Sequence, residues 1–386
     1  LVGSEMCIRD RFWGGPEDFP ESQLAYYTSA SAKSAELTRR GAVGQILMWD
    51  RQEEVDYDWE TYYQGFGTAP TLAWVNGAGE ASGYYPQSMG RADLSRASAE
   101  LMFEDAPISF EDARDAAAEF RPMSTALGVE VTIYQKVEHD RYNSPNVVGL
   151  LPGSDPELKD EYVVFTGHLD HIGYFDSEDD AEDTIYNGFY DNAVGIAVMI
   201  EAAKALKQLS VAPRRSIIFL PVTGEEAGLF GSDYFINNPT VPKDSVVANI
   251  NVDMPLLLFP MSSLTIYGEH SSTAGPQAVE EVALEGFDVG EDPYPGENSI
   301  GRSDQYSFAV AGVPFVYLSE GVQSPDPELD TMAILSDHNE NHYHQVSDDL
   351  SRPLDWETTE RFIRATVRVT RRIANEDEPP TWIEGD

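Results

Sequence analysis

Residues 161–171 read EYVVFTGHLDH, an apolar run that ends in residue types able to bind metals. A short run rich in Val and Phe predicts a buried strand. The apolar runs at 216–222 (SIIFLPV) and 246–252 (VVANINV) predict two more strands, and apolar residues at helical spacing over 193–209 predict a helix. Apolar strands that alternate with helices are typical of a largely parallel sheet flanked by helices. The sequence therefore predicts an α/β fold built on a mixed, largely parallel sheet.

Further elements are predicted on both sides of these runs. The first part of the chain contains a predicted helix at 29–40, closed by Gly41, and a predicted strand at 44–49. The remaining predictions are strands at 129–135, 146–151, 263–267 and 314–318 and a terminal helix at 355–374.

The composition limits the partners that this chain can bind. It has 386 residues, 25 Lys and Arg against 67 Asp and Glu, and a formal net charge of −42. Nucleic acids and anionic membranes attract positive charge, so neither is expected as the main partner. No apolar run reaches the roughly 18 residues that a membrane-spanning helix needs. We expect a folded, very acidic protein without a membrane span.

The first residues of the chain are unusual. Cys7 is the single cysteine, so neither an internal disulfide nor a cysteine-based zinc site is possible. The segment 1–11 (LVGSEMCIRDR) resembles translated adapter read-through and is predicted to be non-native. On this interpretation the natural N-terminus is missing, together with any export signal.

Metal-binding residue types follow all three main strands. His168, Asp170 and His171 follow the first strand, the pair Glu225-Glu226 follows the second, and Asp253 follows the third. Ligands of open parallel sheets gather past the carboxyl ends of the strands. Taken singly, each of these residues has a plainer explanation as surface charge or as the acidic first turn of a helix. Their coincidence at three strand ends favours a metal site.

Two further segments complete this set. Asp191 lies in the glycine-flanked turn 187–195 (NGFYDNAVG), and His344 lies in an acidic loop near the end of the chain. A two-metal site needs a carboxylate between the ions and imidazole and carboxylate ligands on each. The inventory fits with Asp191 as the bridge, His168 and Asp253 on one ion, and Glu226 and His344 on the other. This leaves Glu225 as a general base.

Other candidate sites are weaker. No HExxH or GxSxG pattern is present, which removes the single-zinc helix motif and the usual serine hydrolase motif. The acidic stretch 176–183 lacks the spacing of a calcium loop and is predicted to be a solvated loop. Three histidines without a partner pattern are interpreted as structural: His139, His171 and His270.

Five motifs in this order carry a family resemblance: GHLDH, NGFYDNAVG, TGEEAGLFGS, INVDM and HYHQVSDD. From Val129 onward the chain resembles the co-catalytic di-zinc aminopeptidases, a family that includes glutamate carboxypeptidase, the transferrin receptor ectodomain and glutaminyl cyclase. Residues 301–321 are similar to its secreted bacterial members, and 29–50 resemble the back half of a protease-associated domain. The expected organisation is a partial protease-associated domain at 12–118 and a zinc peptidase catalytic domain at 119–386.

The resemblance implies two Zn²⁺ per chain and a role for each matched position. The implied ligands are His168, Asp191 as the bridge, Glu226, Asp253 and His344. Asp170 would orient His168, Glu225 would act as general base, and Tyr343 would contact the developing oxyanion. The last ligand is ambiguous among His338, His342 and His344, and His344 is chosen because it matches a Tyr-His-x-Val pattern. The chain departs from its relatives at Tyr190 and Val194.

The expected function is that of a zinc-dependent exopeptidase, an aminopeptidase that acts on peptides. A carboxypeptidase, dipeptidase or cyclase specificity is the first alternative, and a receptor-like domain without metals is the second. A secreted or periplasmic location is expected, and the oligomeric state is left open.

Overall fold

The structure is a computed structural model that describes residues 7–9, 26–27, 29–49, 58–65, 71–85, 88, 90–119, 121, 124–134, 136–174, 183–294 and 299–383. The described residues form two compact units, one up to Tyr142 and one from Asn143 onward. This division lies later in the chain than the predicted domain boundary after Ala118. The assignment of 12–118 to a protease-associated domain stays a prediction, as does the read-through origin of 1–11.

The first unit contains a small parallel sheet in the order β1-β2-β3. Its elements are β1 (Cys7–Arg9), α1 (Ala30–Arg39), β2 (Gln45–Met48), α2 (Trp59–Gly65), β3 (Arg91–Leu94), α3 (Arg96–Met102) and α4 (Phe110–Ala118). Helix α1 begins where Ser29 accepts a hydrogen bond from the Ala32 N–H. It is followed by Gly41, whose φ of +93° is a backbone angle that residues other than glycine rarely adopt. The helix and strand predicted here are confirmed.

The second unit holds the larger sheet and most of the helices. Its strands are β4 (Gly149–Leu151), β5 (Tyr162–His168), β6 (Gly173–Tyr174), β7 (Ile185–Tyr186), β8 (Ser216–Val222), β9 (Val246–Asn251), β10 (Ser263–Tyr267), β11 (Asp288–Val289) and β12 (Phe315–Glu320). Its helices are α5 (Gly195–Lys207), α6 (Phe230–Asn237), α7 (Ala274–Ala283), α8 (Gln305–Val310), α9 (Thr331–Asn341) and α10 (Trp356–Asn375).

The main sheet has seven strands in the order β11-β10-β12-β9-β5-β8-β4. The four central strands β12, β9, β5 and β8 run parallel, whereas β4 and β10 run antiparallel to their neighbours β8 and β12. This is the mixed, largely parallel sheet that the sequence predicts. Because β5, β8 and β9 share one direction, their carboxyl ends lie at the same edge.

Both faces of this sheet are covered by helices. Alternate residues of β5 divide between the faces: Val163 and Phe165 pack with residues of α5, α7 and α10, and Val164 packs with residues of α6 and α8. A strand that is buried on both sides reads as a continuous apolar run, which is why 161–166 shows no alternation. None of the described helices is long and apolar enough to cross a membrane.

Two strand predictions in the linking region differ from the structure. Residues 129–134 form no strand, so that prediction is wrong for them, and Gln135 lies outside the described residues. Their alternating Val and Thr residues pair with no neighbouring strand, and Val129 and Val131 are exposed. The predicted strand at 146–151 is shortened to β4. Of the predicted loop 176–183, residues 176–182 also lie outside the described residues.

Candidate metal centre

One half of the centre is built by the ends of β5 and β9. His168 is the last residue of β5, and Asp253 lies two residues beyond β9. The Nε2 atom of His168 lies 2.9 Å from Oδ1 of Asp253 and 3.1 Å from Oδ1 of Asp191. All three side chains are buried. The parallel register of β5 and β9 thus brings together residues that are far apart in sequence.

The other half is built by the turn after β8 and the loop after α9. The Nε2 atom of His344 lies 3.1 Å from Oε2 of Glu226 and 3.2 Å from Oδ2 of Asp191. The Nδ1 atom of His171 lies 2.7 Å from Oε1 of Glu226. Asp191 therefore turns one carboxylate oxygen towards each half.

The position of Asp191 is fixed by buried hydrogen bonds. The carboxylate of Asp348 accepts the main-chain N–H groups of Tyr190 and Asp191, each at 3.1 Å. The side chain of Asn192 accepts from the N–H groups of Gly195 and Met254 and donates to the carbonyl of Val252. These bonds tie the turn to the segment after β9.

Glycine is required at the start of α5. A Cβ atom on Gly195 would lie 2.0 Å from Oδ1 of Asn192 and 2.8 Å from the carbonyl oxygen of Val252. Contacts this short cannot be relieved without moving the turn that carries Asp191. The second glycine of the motif NGFYDNAVG is thus explained by close packing.

Asp253 is held from the opposite side by a buried polar network. The hydroxyl of Ser303 donates to Oδ2 of Asp253 at 2.6 Å, which leaves Oδ1 to face His168. Asn251 donates to both Ser303 and Gln305, and Tyr317 donates to the carbonyl of Asp253. The network fixes the carboxylate plane, as the partners of metal-binding carboxylates generally do.

Asp170 differs from its predicted role. The Nδ1 atom of His168 pairs with the main-chain carbonyl of Asp170 at 3.0 Å, so the carbonyl and not the carboxylate orients the imidazole. The Asp170 carboxylate instead accepts the N–H groups of Glu225 and Glu226 at 3.2 and 3.3 Å. Asp170 therefore orders the turn that carries both glutamates.

Glu225 lies beside this cluster. Its carboxylate, Glu226 and His168 offer ligand atoms within 4.8 Å of one another. Burial raises the pKa of Glu225 well above its usual range, and the charge of Asp253 raises it further. A raised pKa makes the carboxylate a stronger base than an ordinary glutamate.

The donor set fits a divalent cation. Burial favours the neutral form of Asp191, yet its contacts with His168 and His344 hold its pKa well below the usual range. Several buried carboxylates thus meet with only imidazoles to balance them, and buried charges of this kind are commonly paired or metal-bound. The Nε2 atom of His344 is close to two carboxylate oxygens but makes no hydrogen bond among the described residues. The ligand atoms of His168, Asp191 and Asp253 lie within 4.8 Å of one another, and His with Asp or Glu is a donor set that suits zinc.

The remaining histidines of the acidic loop are placed elsewhere. His338 is buried, packs edge-on against Tyr190 and has a pKa lowered to about 4 by burial. His342 pairs with Ser347 and Arg352. Of the three candidates, the structure brings His344 to the cluster. The Tyr343 ring stacks on the His344 ring, with 3.8 Å between centroids.

Three residues that contribute to the centre were not assigned to it from the sequence. The sequence gives His171 no partner and predicts a structural role for it, whereas in the structure it contacts Glu226. Asp348 belongs to the quoted motif HYHQVSDD, and Ser303 to the segment 301–321, but neither was given a role. The position of Asp348, an acidic residue four positions after the predicted ligand His344, was the available signal for its role. For Ser303 no local signal existed.

Relatives were found among peptidases. The probable leucine aminopeptidase 2 of Aspergillus oryzae is 27% identical over 229 residues, which are 57% of this chain and 42% of that protein. A probable zinc metalloprotease of Pyrenophora teres f. teres is 32% identical over 114 residues, 29% of this chain and 23% of that protein. This chain therefore spans less than half the length of either relative.

Among solved structures, the chain is similar to a zinc aminopeptidase from Bacillus subtilis, with a TM-score of 0.43 and 18% identity over 95% of this chain and 73% of that one. Among family models, that of peptidase family M28 matches residues 146–370, which is more than half of the chain. The matched range contains every residue of the cluster described above. The chain belongs to peptidase family M28.

Proposed function

We propose that this protein is a zinc-dependent exopeptidase, an aminopeptidase that removes N-terminal residues from peptides. The observation that carries the proposal is the convergence of two imidazole–carboxylate pairs on the two oxygens of Asp191, with the buried carboxylate of Glu225 beside them. Membership of a peptidase family supports peptide substrates. The relatives named leucine aminopeptidase and zinc metalloprotease support the aminopeptidase specificity and the metal.

We propose two zinc ions per chain, one held by His168 and Asp253 and one by Glu226 and His344, with Asp191 shared. When bound, zinc supplies a Lewis acid that polarises a peptide carbonyl and activates water. The chain's own contribution is the base: Glu225 accepts a proton and returns it to the leaving amine. Its burial raises the pKa of Glu225 and so increases the basicity of the carboxylate.

Tyr343 is proposed to donate a hydrogen bond to the oxyanion that develops on the substrate. Its stacking on His344 keeps the phenol beside the metal ligands. Burial raises the pKa of Tyr343, so the hydroxyl remains a donor across the neutral range.

A carboxypeptidase or dipeptidase specificity is the second candidate. The guanidinium of Arg302 lies 3.5 Å from the Tyr343 hydroxyl, and a guanidinium is the group that would bind a substrate carboxylate. Dipeptides blocked at the N-terminus or at the C-terminus separate the two candidates. An aminopeptidase cleaves only substrates with a free N-terminal amine.

A secreted or periplasmic location also stays a prediction.

The proposed base is tested by Glu225→Gln, which keeps the size of the side chain and removes its basicity. We expect kcat on an aminoacyl amide to fall about 10²- to 10⁴-fold, while the zinc content is unchanged. The matched control is Glu157→Gln, an exposed carboxylate before the N-terminal end of β5, which should have wild-type kcat. A Glu225→Gln enzyme with wild-type turnover would show that another group transfers the proton.

A further inference from the structure

His171 occupies a special position within the proposed centre. It lies three residues beyond His168, in the segment that follows β5. Its Nδ1 atom is 2.7 Å from Oε1 of Glu226 and 3.8 Å from Oδ2 of Asp191, and only 8% of its side chain is exposed. These three residues offer ligand atoms within 4.8 Å of one another. The imidazole thus reaches the same pair of carboxylates as His344 does.

The His171 ring is held in this orientation by its surroundings. A Cβ atom on Gly188 would lie 2.7 Å from Cγ of His171, so the main chain of the turn packs directly on the ring. The ring also meets the His344 ring edge-on, with 5.6 Å between centroids. Its Nε2 atom is buried and has no hydrogen-bond partner among the described residues. Among the described residues, the polar contacts of the ring are therefore those that Nδ1 makes with the two carboxylates.

We propose that His171 is a ligand of the ion held by Glu226 and His344. Zinc ligands lie about 2.0–2.2 Å from the ion, so two ligand atoms on one ion lie within about 4.4 Å of each other. The distances from Nδ1 of His171 to Glu226 and Asp191, and those from Nε2 of His344 to the same two residues, all fall below this limit. This inference rests on the proposed function, because it requires a second ion.

The additional imidazole makes the two halves of the centre unequal. With His171, the residues that would hold the second ion are two imidazoles, Glu226 and the shared Asp191. The first ion would be held by His168, Asp253 and Asp191. Glu225 offers a ligand atom within 4.8 Å of those of both His168 and Glu226, so it lies beside both halves.

The direct test uses the full wild-type chain loaded with cadmium-113 in place of zinc. A proton–cadmium correlation spectrum reports which imidazole rings are bonded to each ion. We expect one ion to correlate with the ring protons of His168 alone and the other with those of both His171 and His344. Correlation of the second ion with His344 alone would overturn the proposal, and no mutant protein is needed to see it.

A second test measures zinc affinity by titration of the metal-free protein. His171→Asn should weaken one of two sites by about 10- to 100-fold or more, since even outer partners of metal ligands contribute that much. The control is His270→Ala, because His270 is 89% exposed and lies outside the cluster. Unchanged affinity in His171→Asn would refute the ligand role alone. A wild-type protein that binds fewer than two ions would instead refute the proposed function.

Discussion

At the scale of single residues, Asp348 holds the proposed bridging ligand Asp191 in place but is not itself a proposed ligand. It accepts the N–H groups of Tyr190 and Asp191 and is fully buried. A buried N–H without a partner costs about 1–3 kcal/mol. Asp348→Ala should therefore lower the free energy of unfolding by about 2–4 kcal/mol and weaken zinc binding about 10- to 100-fold.

Urea denaturation of the metal-free protein and zinc titration check these two effects of Asp348→Ala separately. The neighbouring carboxylate provides the control: Asp349 accepts from the Ser351 N–H at the surface, so Asp349→Ala should leave zinc affinity unchanged. If Asp348→Ala binds zinc as the wild type does, the hydrogen bonds do not position Asp191.

The residues that meet at the centre were predictable where they follow strands. His168, Glu226 and Asp253 stand at the ends of apolar runs, and parallel strands bring such ends together. The partners of His171, Asp348 and Ser303 were not predictable, although His171 and Asp348 stand in quoted motifs. Their contacts depend on how loops from distant parts of the chain pack against one another, and the residue type alone does not identify the partner.

At the scale of elements, an ion-pair cluster joins α10 to the end of α7. Glu285, just beyond α7, accepts from Arg364 and Arg368 of α10 at 2.7 and 2.5 Å, and its side chain is 10% exposed. Burial alone would raise the pKa of Glu285, but the two arginines outweigh it and hold the pKa below 4.5. The folded state thus favours the ionised carboxylate.

The depressed pKa predicts a pH-dependent contribution to stability. The contribution of Glu285 is complete above its unfolded pKa and is lost as the pH falls through its folded pKa. At pH 7, Glu285→Gln should lower the free energy of unfolding by about 1 kcal/mol, since both arginines are half exposed. The difference from wild type should shrink as the pH is lowered below about 4.

Urea denaturation at a series of pH values measures this difference. Glu280→Gln is the control on α7 itself, because Glu280 is 70% exposed and pairs weakly with Arg372. A Glu285→Gln deficit that stays constant down to acid pH would show that lost packing and not lost charge is responsible.

The central strands and long helices were predicted closely, and the edges of the sheet were not. The runs that became β5, β8 and β9 are apolar because both faces of each strand are buried. The antiparallel direction of β4 and β10 could not be predicted, because the composition of an apolar run does not indicate which way the strand runs in the sheet. The alternating pattern at 129–135 predicted a strand that residues 129–134 do not form. Period-two patterns also occur in segments that pair with no neighbouring strand.

At the scale of the whole molecule, zinc should stabilise the folded state by mass action. A ligand that binds only the folded state contributes about 2.7 kcal/mol at 100 times its Kd. A shift of about 2–4 °C per kcal/mol then predicts that removing zinc with a chelator lowers Tm by about 5–10 °C. Differential scanning calorimetry with and without added zinc measures this shift.

The Glu225→Gln variant separates binding from activity in this experiment. It lacks the proposed base but keeps the ligands, so the wild-type shift in Tm should persist. A protein whose melting is indifferent to chelator and to added zinc would contradict a zinc centre tied to the fold.

His344 and Asp191 are in contact but far apart in sequence, so the ribosome synthesises them at well-separated times. When Asp191 has been synthesised, the growing chain still lacks His344, which contacts Asp191 in the folded protein. Helix α9 must also be synthesised before His344. The proposed metal centre can therefore form only after most of the second unit has been synthesised.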